Sequence, residues 1–416
     1  MKKSQEVSVL KDVDKKGKIR DWRGKKMTTL KLSKSYGRIS DKIKPEYESR
    51  GVHRRYALIK RQVKDKIGEI ISIAEKKSIG LYDKDGNRVV NYAGGAKNMR
   101  FCGNFLEFEK IEERLKLLNA KFCHVSLCPM CQWRKSMRTY FEVSKIMRLV
   151  EMRHVTYVPI FLTLTVRNCS IDKLAENMDS IFNAWFELMR SKALNPEVKG
   201  ERKHIIKGWF RALEVEYDGD IVINKRRYNN AKRYYEERGI KAGSNNPNFD
   251  TFHPHFHAIM LVDRSYFKNK DYKATSEWVQ LWRKAAKLDY DPVCHVQRTR
   301  SSKDKRNEVA EVAKYTYKDA AILNKRLSDD KKDDVVKNLS SALHGRRLYA
   351  YGGVMKGIAA ELKQMAKQDR IEADEGINES LARMILKYNW SMGVSNYVLV
   401  ENEQFSAKER VGEENA

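Results

Sequence analysis

Cysteine is scarce, with 6 in 416 residues, too few for a secreted scaffold stapled by disulfides. Proline (7) and glycine (22) are sparse as well, which excludes a collagen-like, linker-dominated or low-complexity chain. No apolar run approaches the ~20 residues of a membrane span. The opening residues, MKKSQEVSVLKDVDKKGKIR, lack the apolar core of a secretory signal, so a cytoplasmic protein with no membrane contact is expected. Negative charge is also in short supply: 55 Asp and Glu stand against 83 Lys and Arg, a net charge of +28.

What is present fits a soluble globular protein. Apolar residues make up 41% and charged residues 33%. The length predicts roughly two to three domains and is ample for a sizeable core. The positive excess points to a polyanionic partner, because each neutralised phosphate releases a bound counterion. It is uneven: Met1 to Lys66 holds 22 basic and 8 acidic residues, with Trp22, Tyr36, Tyr47 and Tyr56 among them.

Residues 1–95 read as a basic N-terminal region for DNA binding. Within it an amphipathic helix is expected over Arg61 to Ala74 and a turn at Asp83 to Asn87. Residues 96–150 form a Cys-rich module. Residues 151–355 are the best organised part. Ile160 to Val166 alternates as a strand, and a helix opened by Ser170 and Asp172 carries Leu174, Met178, Ile181, Phe182, Trp185, Leu188 and Met189 at helical spacing. Strands follow at about 208–217 and 254–262, then a helix at 275–288, a strand at 292–299 and a helix from about Asn307. This β-α-β-β-α-β order predicts an α+β, ferredoxin-like antiparallel sheet with helices on one face. Residues 356–416 read as a helical C-terminal region, with helices at about 358–367 and 378–387. An insertion at 218–252 carries Arg226, Arg227 and several tyrosines, suited to base stacking or to a solvated helix.

Three groups of residues carry chemistry. His255 and His257, at i and i+2 of a strand, share a face and can hold one metal ion. Glu214 and Glu216 on the preceding strand share a face too, and either can add a carboxylate. His253, before Pro254, is a DNA or outer-shell contact. Glu311, Tyr315 and Lys318 stand at i−4, i and i+3 of a helix and share one face, whereas Tyr317 points elsewhere. Cys102, Cys123, Cys128 and Cys131 offer four thiolates for structural Zn²⁺, with His124 as a substitute ligand. A redox Cys128-Pro-Met-Cys131 pair would need neither of the other two. The basic run through Arg134, Lys135 and Arg138 follows, so the zinc module is expected to touch DNA.

Taken together, the Phe161 to Thr165 strand, the LEVEY strand with Glu214, HPHFH, EVAKYTYK, Cys128-Pro-Met-Cys131 with Arg134 and Lys135, and Ala342 to Leu348 with Tyr351-Gly-Gly resemble a family. They are similar to plasmid rolling-circle replication initiators of the HUH endonuclease superfamily, in the bacterial single-tyrosine branch, over about residues 100–360. The resemblance implies a ferredoxin- or RRM-like HUH fold and a site-specific DNA nickase. It makes His255, His257 and Glu214 the ligands of a catalytic Mn²⁺ or Mg²⁺. Tyr315 is then the nucleophile, Lys318 the lysine of its YxxK element and Glu311 the branch's acid. The implied partners are single-stranded and hairpin origin DNA, a host polymerase and, since no Walker A pattern is present, a separate host helicase; a homo-oligomer is compatible with it. Two features depart from the pattern: Glu216 stands where Thr is expected, leaving it a rival to Glu214, and the 218–252 insertion is long. A conjugative relaxase or single-strand transposase of the same superfamily is the alternative.

Overall fold

The computed structural model describes residues 52–76, 80–82, 88–91, 97–111, 114–299, 302–313, 327–375 and 383–405. These all fall in one unit, Val52–Ala416. In chain order the helices are α1 (Val52–Lys76), α2 (Pro129–Arg153), α3 (Leu174–Arg190), α4 (Lys225–Asn230), α5 (Lys232–Glu236), α6 (Thr275–Ala285), α7 (Ser302–Val312), α8 (Asp329–Leu343) and α9 (Val354–Glu375). The strands are β1 (Gly80–Tyr82), β2 (Arg88–Asn91), β3 (Phe105–Ile111), β4 (Arg114–Ala120), β5 (Tyr157–Thr165), β6 (Glu197–Val198), β7 (Glu201–Arg202), β8 (Ile206–Asp218), β9 (Thr251–Asp263), β10 (Cys294–Arg298), β11 (Tyr349–Gly353), β12 (Arg383–Ser391) and β13 (Asn396–Phe405).

The main sheet runs β10-β5-β9-β8-β11, and every neighbouring pair is antiparallel. Its first four strands follow the expected β-α-β-β-α-β order, with α3 and α6 as the crossovers. The fifth strand, β11, is added beside β8. There Gly352 lies under the Trp209 indole, so a Cβ would overlap the ring, and Gly353 takes φ 54°.

Helices cover both faces of this sheet, whereas the sequence predicts one. Ile160, Leu162 and Leu164 of β5 and Phe256, Ala258, Met260 and Val262 of β9 pack with Trp185 of α3 and Trp278 and Trp282 of α6. Ile259 and Leu261 of β9 and Phe210 of β8 face the other way. They join Val143, Ile146 and Val150 of α2, Val309 and Val312 of α7, and Met355 and Ile358 of α9. The reason is visible in β9, which is buried continuously from Pro254 to Val262 rather than on alternate residues. On the α3 side a charged strand residue breaks the apolar pattern. Arg211 of β8 is 3% exposed and lies among Phe182, Phe256 and Trp185 at 4.7, 4.7 and 5.9 Å. Burial, with a smaller push from Arg347, lowers it to about 10.

The second correction concerns the C-terminal region. Residues 356–375 are helical, within α9, but Arg383–Ser391 is a strand, not part of a helix over 378–387; residues 376–382 lie outside the described residues. Strands β12 and β13 complete a second antiparallel sheet, β13-β12-β3-β4, with the strands of the Cys-rich module. Leu106 and Phe108 of β3, Leu386 and Tyr388 of β12 and Tyr397 of β13 form its core with Ala57 of α1. The Tyr397 hydroxyl donates to the carbonyl of Gly103, beside Cys102. Helix α1 contains the expected Arg61 to Ala74 segment. Asp83 to Asn87 lies outside the described residues, though β1 and β2 on either side pair.

Candidate metal centres

The first centre sits on the main sheet, on the face covered by α2, α7 and α9. Residue parity puts His255 and His257 of β9 on that face with Ile259 and Leu261. Sheet register then selects the carboxylate: Glu214 of β8 lies directly opposite His255, and Glu216 lies opposite His253. Glu214 Oε2 is 3.1 Å from His257 Nε2 and 3.6 Å from His255 Nε2. Ligand atoms of Glu214, His255 and His257 all lie within 4.8 Å of one another, and all three residues are buried. Glu216 is outside this group.

Both imidazoles are oriented from behind. His255 Nδ1 lies 3.1 Å from the carbonyl of His253, which can only accept, so Nδ1 carries the proton and Nε2 presents a lone pair. His257 Nδ1 lies 3.1 Å from Thr163 Oγ1, a hydroxyl able to accept from it in the same tautomer. The two Nε2 atoms are 3.2 Å apart. Two lone pairs facing each other beside a carboxylate repel unless a proton or a cation lies between them. Ligands about 2.1 Å from a shared ion stand roughly 3–3.4 Å apart, so the spacing fits a divalent metal. Phe161 stacks on His257 at 5.8 Å and His253 on His255 at 4.9 Å. Burial, aided by His255, lowers His253 to about 4, so it is neutral near pH 7.

At the rim, Glu311 on the last turn of α7 brings Oε1 to 3.7 Å from His257 Nε2. The Ser136 hydroxyl of α2 donates to the carbonyl of Ala313, two residues before Tyr315. Tyr315, Tyr317 and Lys318 lie outside the described residues.

The second centre lies where Cys102, after a short 3-10 turn, meets Cys123 and the start of α2. Cys128 is the residue before that helix and Cys131 is in its first turn, with Pro129 at the position where a missing N–H costs nothing. The four sulfurs lie within 4.8 Å of one another, with Cys102–Cys131 at 3.5 Å and Cys123–Cys131 at 3.7 Å. Thiolates about 2.3 Å from a tetrahedral Zn²⁺ stand about 3.8 Å apart, so this group fits zinc. Among the sulfurs alone, hydrogen bonding led by Cys102 raises the Cys123 and Cys128 thiols and lowers Cys131. Four thiolates therefore need a cation. His124 is not in the group.

Sequence reasoning missed Lys60. It is 7% exposed and donates to the Cys102 carbonyl at 2.5 Å. Burial pulls it down to about 8 against the opposing pull of Cys102, Cys128 and Cys123. Its signal was in the sequence: it stands three residues from both Ala57 and Val63, on the apolar stripe of α1.

The expected DNA contacts divide. Arg226 and Arg138 are exposed. Arg134 lies over the Phe122 ring at 4.3 Å and Lys135 over Tyr349 at 5.4 Å. Arg227 is engaged elsewhere: it forms a two-point ion pair with Asp218 and donates to the Tyr235 hydroxyl at 2.8 Å, fastening the 218–252 insertion to the end of β8.

The fold is α+β, the chain is strongly basic, and two side-chain groups have the spacing of candidate metal sites. No described helix is long and apolar enough to cross a membrane. The replication protein family model matches residues 114–398. The Protein rep of Bacillus amyloliquefaciens is 28% identical over 415 residues, covering 95% of this chain and 98% of that protein. The Protein rep of Lactiplantibacillus plantarum is 34% identical over 275 residues, 64% of this chain and 75% of that protein. The chain belongs to this replication protein family, the plasmid rolling-circle replication initiators. No solved structure matches it.

Proposed function

We propose that this initiator starts plasmid replication by cutting one strand of origin DNA and holding the cut 5′ end on Tyr315. The observation that carries the reading is the convergence of Glu214, His255 and His257 on one buried point, with Glu311 at its rim. The arrangement suits an HUH endonuclease of ferredoxin-like topology. Glu214 and the two Nε2 atoms would hold Mn²⁺ or Mg²⁺, and Cys102, Cys123, Cys128 and Cys131 would hold structural Zn²⁺. When bound, the divalent ion supplies Lewis-acid polarisation of the scissile phosphate.

The residues do the rest. His253 and Thr163 keep the imidazoles in the ligating tautomer. The Tyr315 phenolic oxygen bonds to phosphorus as the P–O3′ bond breaks. The phenol proton leaves through Glu311 or solvent, and a proton is returned to the departing 3′ oxygen, so the products are a 5′-phosphotyrosine and a free 3′-OH. Lys318 offsets the developing negative charge. The retained phosphodiester makes a nucleotide cofactor unnecessary. Glu311 then takes a proton from water at termination, so hydrolysis ends the cycle irreversibly. The 3′-OH primes a host polymerase, and a host helicase unwinds the duplex. Residues 1–95 and the basic start of α2 bind the flanking DNA. The test is incubation with supercoiled origin plasmid and Mn²⁺. Wild type should give open circles and a protein–DNA adduct, and Tyr315→Phe neither. Nicking by Tyr315→Phe at the wild-type rate overturns the reading.

A further inference from the structure

A pocket of about 390 Å³ opens where β5 ends, and none of its residues has a part in the chemistry above. It is walled by the Val166–Ser170 segment, by Asn177 and Ser180 of α3, and by Tyr290 beyond α6. Its lining is mixed. Ile181 and Leu288 are apolar, while Asn177, Ser180 and Ser170 offer short hydrogen-bonding groups. A flat heteroaromatic ring needs that combination, with apolar contact on its faces and donors and acceptors at its edges.

One side of the pocket is a stacking platform. The Arg167 guanidinium lies 3.7 Å from the Tyr290 ring centroid. The Arg167 backbone N–H donates to the Tyr290 hydroxyl at 2.7 Å, which fixes the two residues together. The Arg167 side chain is 68% exposed, so one face of the guanidinium is covered by the tyrosine and the other is open. Its ion pair with Asp289, at 3.9 Å between two exposed side chains, is weak. A planar cation seated on an aromatic ring suits a base stacked on its open face.

The pocket lies at the same end of the sheet as the two-histidine centre, on the side covered by α3 and α6. Val166 directly follows Thr165, which is the register partner of His255. His253 stacks on His255 and is hydrogen-bonded to the Val166 backbone. Asn168 donates to Thr251 at 2.8 Å, and Cys169 and Phe252 exchange backbone hydrogen bonds at 2.8 Å, so this segment is tied to the start of β9. The pocket wall and the histidine row therefore share one end of the sheet.

We propose that this pocket takes a single unpaired base of single-stranded DNA a few nucleotides at most from the scissile phosphate, where the strand rounds the end of the sheet, and that it thereby selects the position of the cut. The proposal rests on the nicking reading, because that reading places the phosphate at His255 and His257. Arg167 and Tyr290 stack the base, and Asn177 and Ser180 read its edge.

The test uses the full-length protein and a set of origin single strands, each with one abasic position flanking the nick. Binding is read by fluorescence anisotropy and cutting by adduct formation. With wild type, an abasic site at one position should weaken binding about tenfold. Arg167→Ala and Tyr290→Ala should bind the intact strand as weakly as wild type binds that abasic strand, with no further loss on it. Tyr290→Phe keeps the ring and should restore the preference. Should Arg167→Ala melt well below wild type, Tyr290→Phe against Tyr290→Leu gives the same comparison. Equal loss at every position, or full abasic sensitivity in Arg167→Ala and Tyr290→Ala, overturns the pocket. Absence of any adduct with wild type overturns the nicking reading instead, and the binding series still reports on the pocket separately.

Discussion

The two candidate metal centres are built in opposite ways. The four-cysteine group is assembled from a 3-10 turn, a loop and a helix start, and its ligands come from 102 to 131. The Glu214, His255 and His257 group is laid across two adjacent strands, where register alone brings ligands 41 to 43 positions apart into one plane. Four thiolates complete a tetrahedron and leave nothing open, which is the design of a structural site. Two imidazoles and a carboxylate leave positions open for substrate oxygen, which is the design of a catalytic one. Cutting the first set should cost folding. Cutting the second should cost chemistry.

The largest expected effect breaks the second centre. His257→Ala should lower nicking by about 10²- to 10³-fold, the scale on which a preorganised electrostatic group acts, while the melting temperature stays within a few degrees. Loss of fold together with activity would erase the distinction between the centres. Next comes the first centre. Cys128→Ala should release zinc and lower the melting temperature markedly, because structural zinc binding is folding free energy. Nicking per folded molecule should be kept. A Cys128→Ala protein that melts like wild type and retains one zinc per chain would remove the structural role.

Legibility in the sequence follows the same divide. The two histidines, the four cysteines and the β-α-β-β-α-β order are local patterns, and spacing reveals them. The choice of Glu214 over Glu216 is not local. It depends on which residue of β8 meets His255, and a slip of two would exchange them. The C-terminal strand is hidden in the sequence for a related reason. Ile385 and Leu386 are buried as neighbours, without alternation, and β12 pairs with β3, about 280 positions away, across Leu386↔Phe108. Covering of both sheet faces was hidden by the unbroken apolar run of β9, which fits a strand buried on one side or on two. Arg211 gave no warning, since a charged residue within a strand ordinarily faces solvent.

Two smaller effects sharpen the comparison. Thr163→Val removes the acceptor behind His257 Nδ1. Affinity for Mn²⁺, followed through the metal dependence of nicking, should fall about 10- to 100-fold with zinc content unchanged. Lys60→Met removes the buried ammonium beside Cys102. Competition with a chelator should show zinc held less than about tenfold more weakly, since loss of one charge-assisted hydrogen bond is partly offset by the relief of burying a charge. Nicking should be unaffected; a large loss of nicking in Lys60→Met would tie the two centres into one.

The most direct measurement maps the covalent bond itself. Wild-type protein is trapped on origin DNA with Mn²⁺, digested with protease and nuclease, and the nucleotide-bearing peptide is sequenced by mass spectrometry. The expected product is a nucleotide attached through its 5′ phosphate to Tyr315, in an amount that falls to background with chelator or with His257→Ala. Attachment at Tyr317 or at any other residue, or an adduct that forms equally well in His257→Ala, would contradict it.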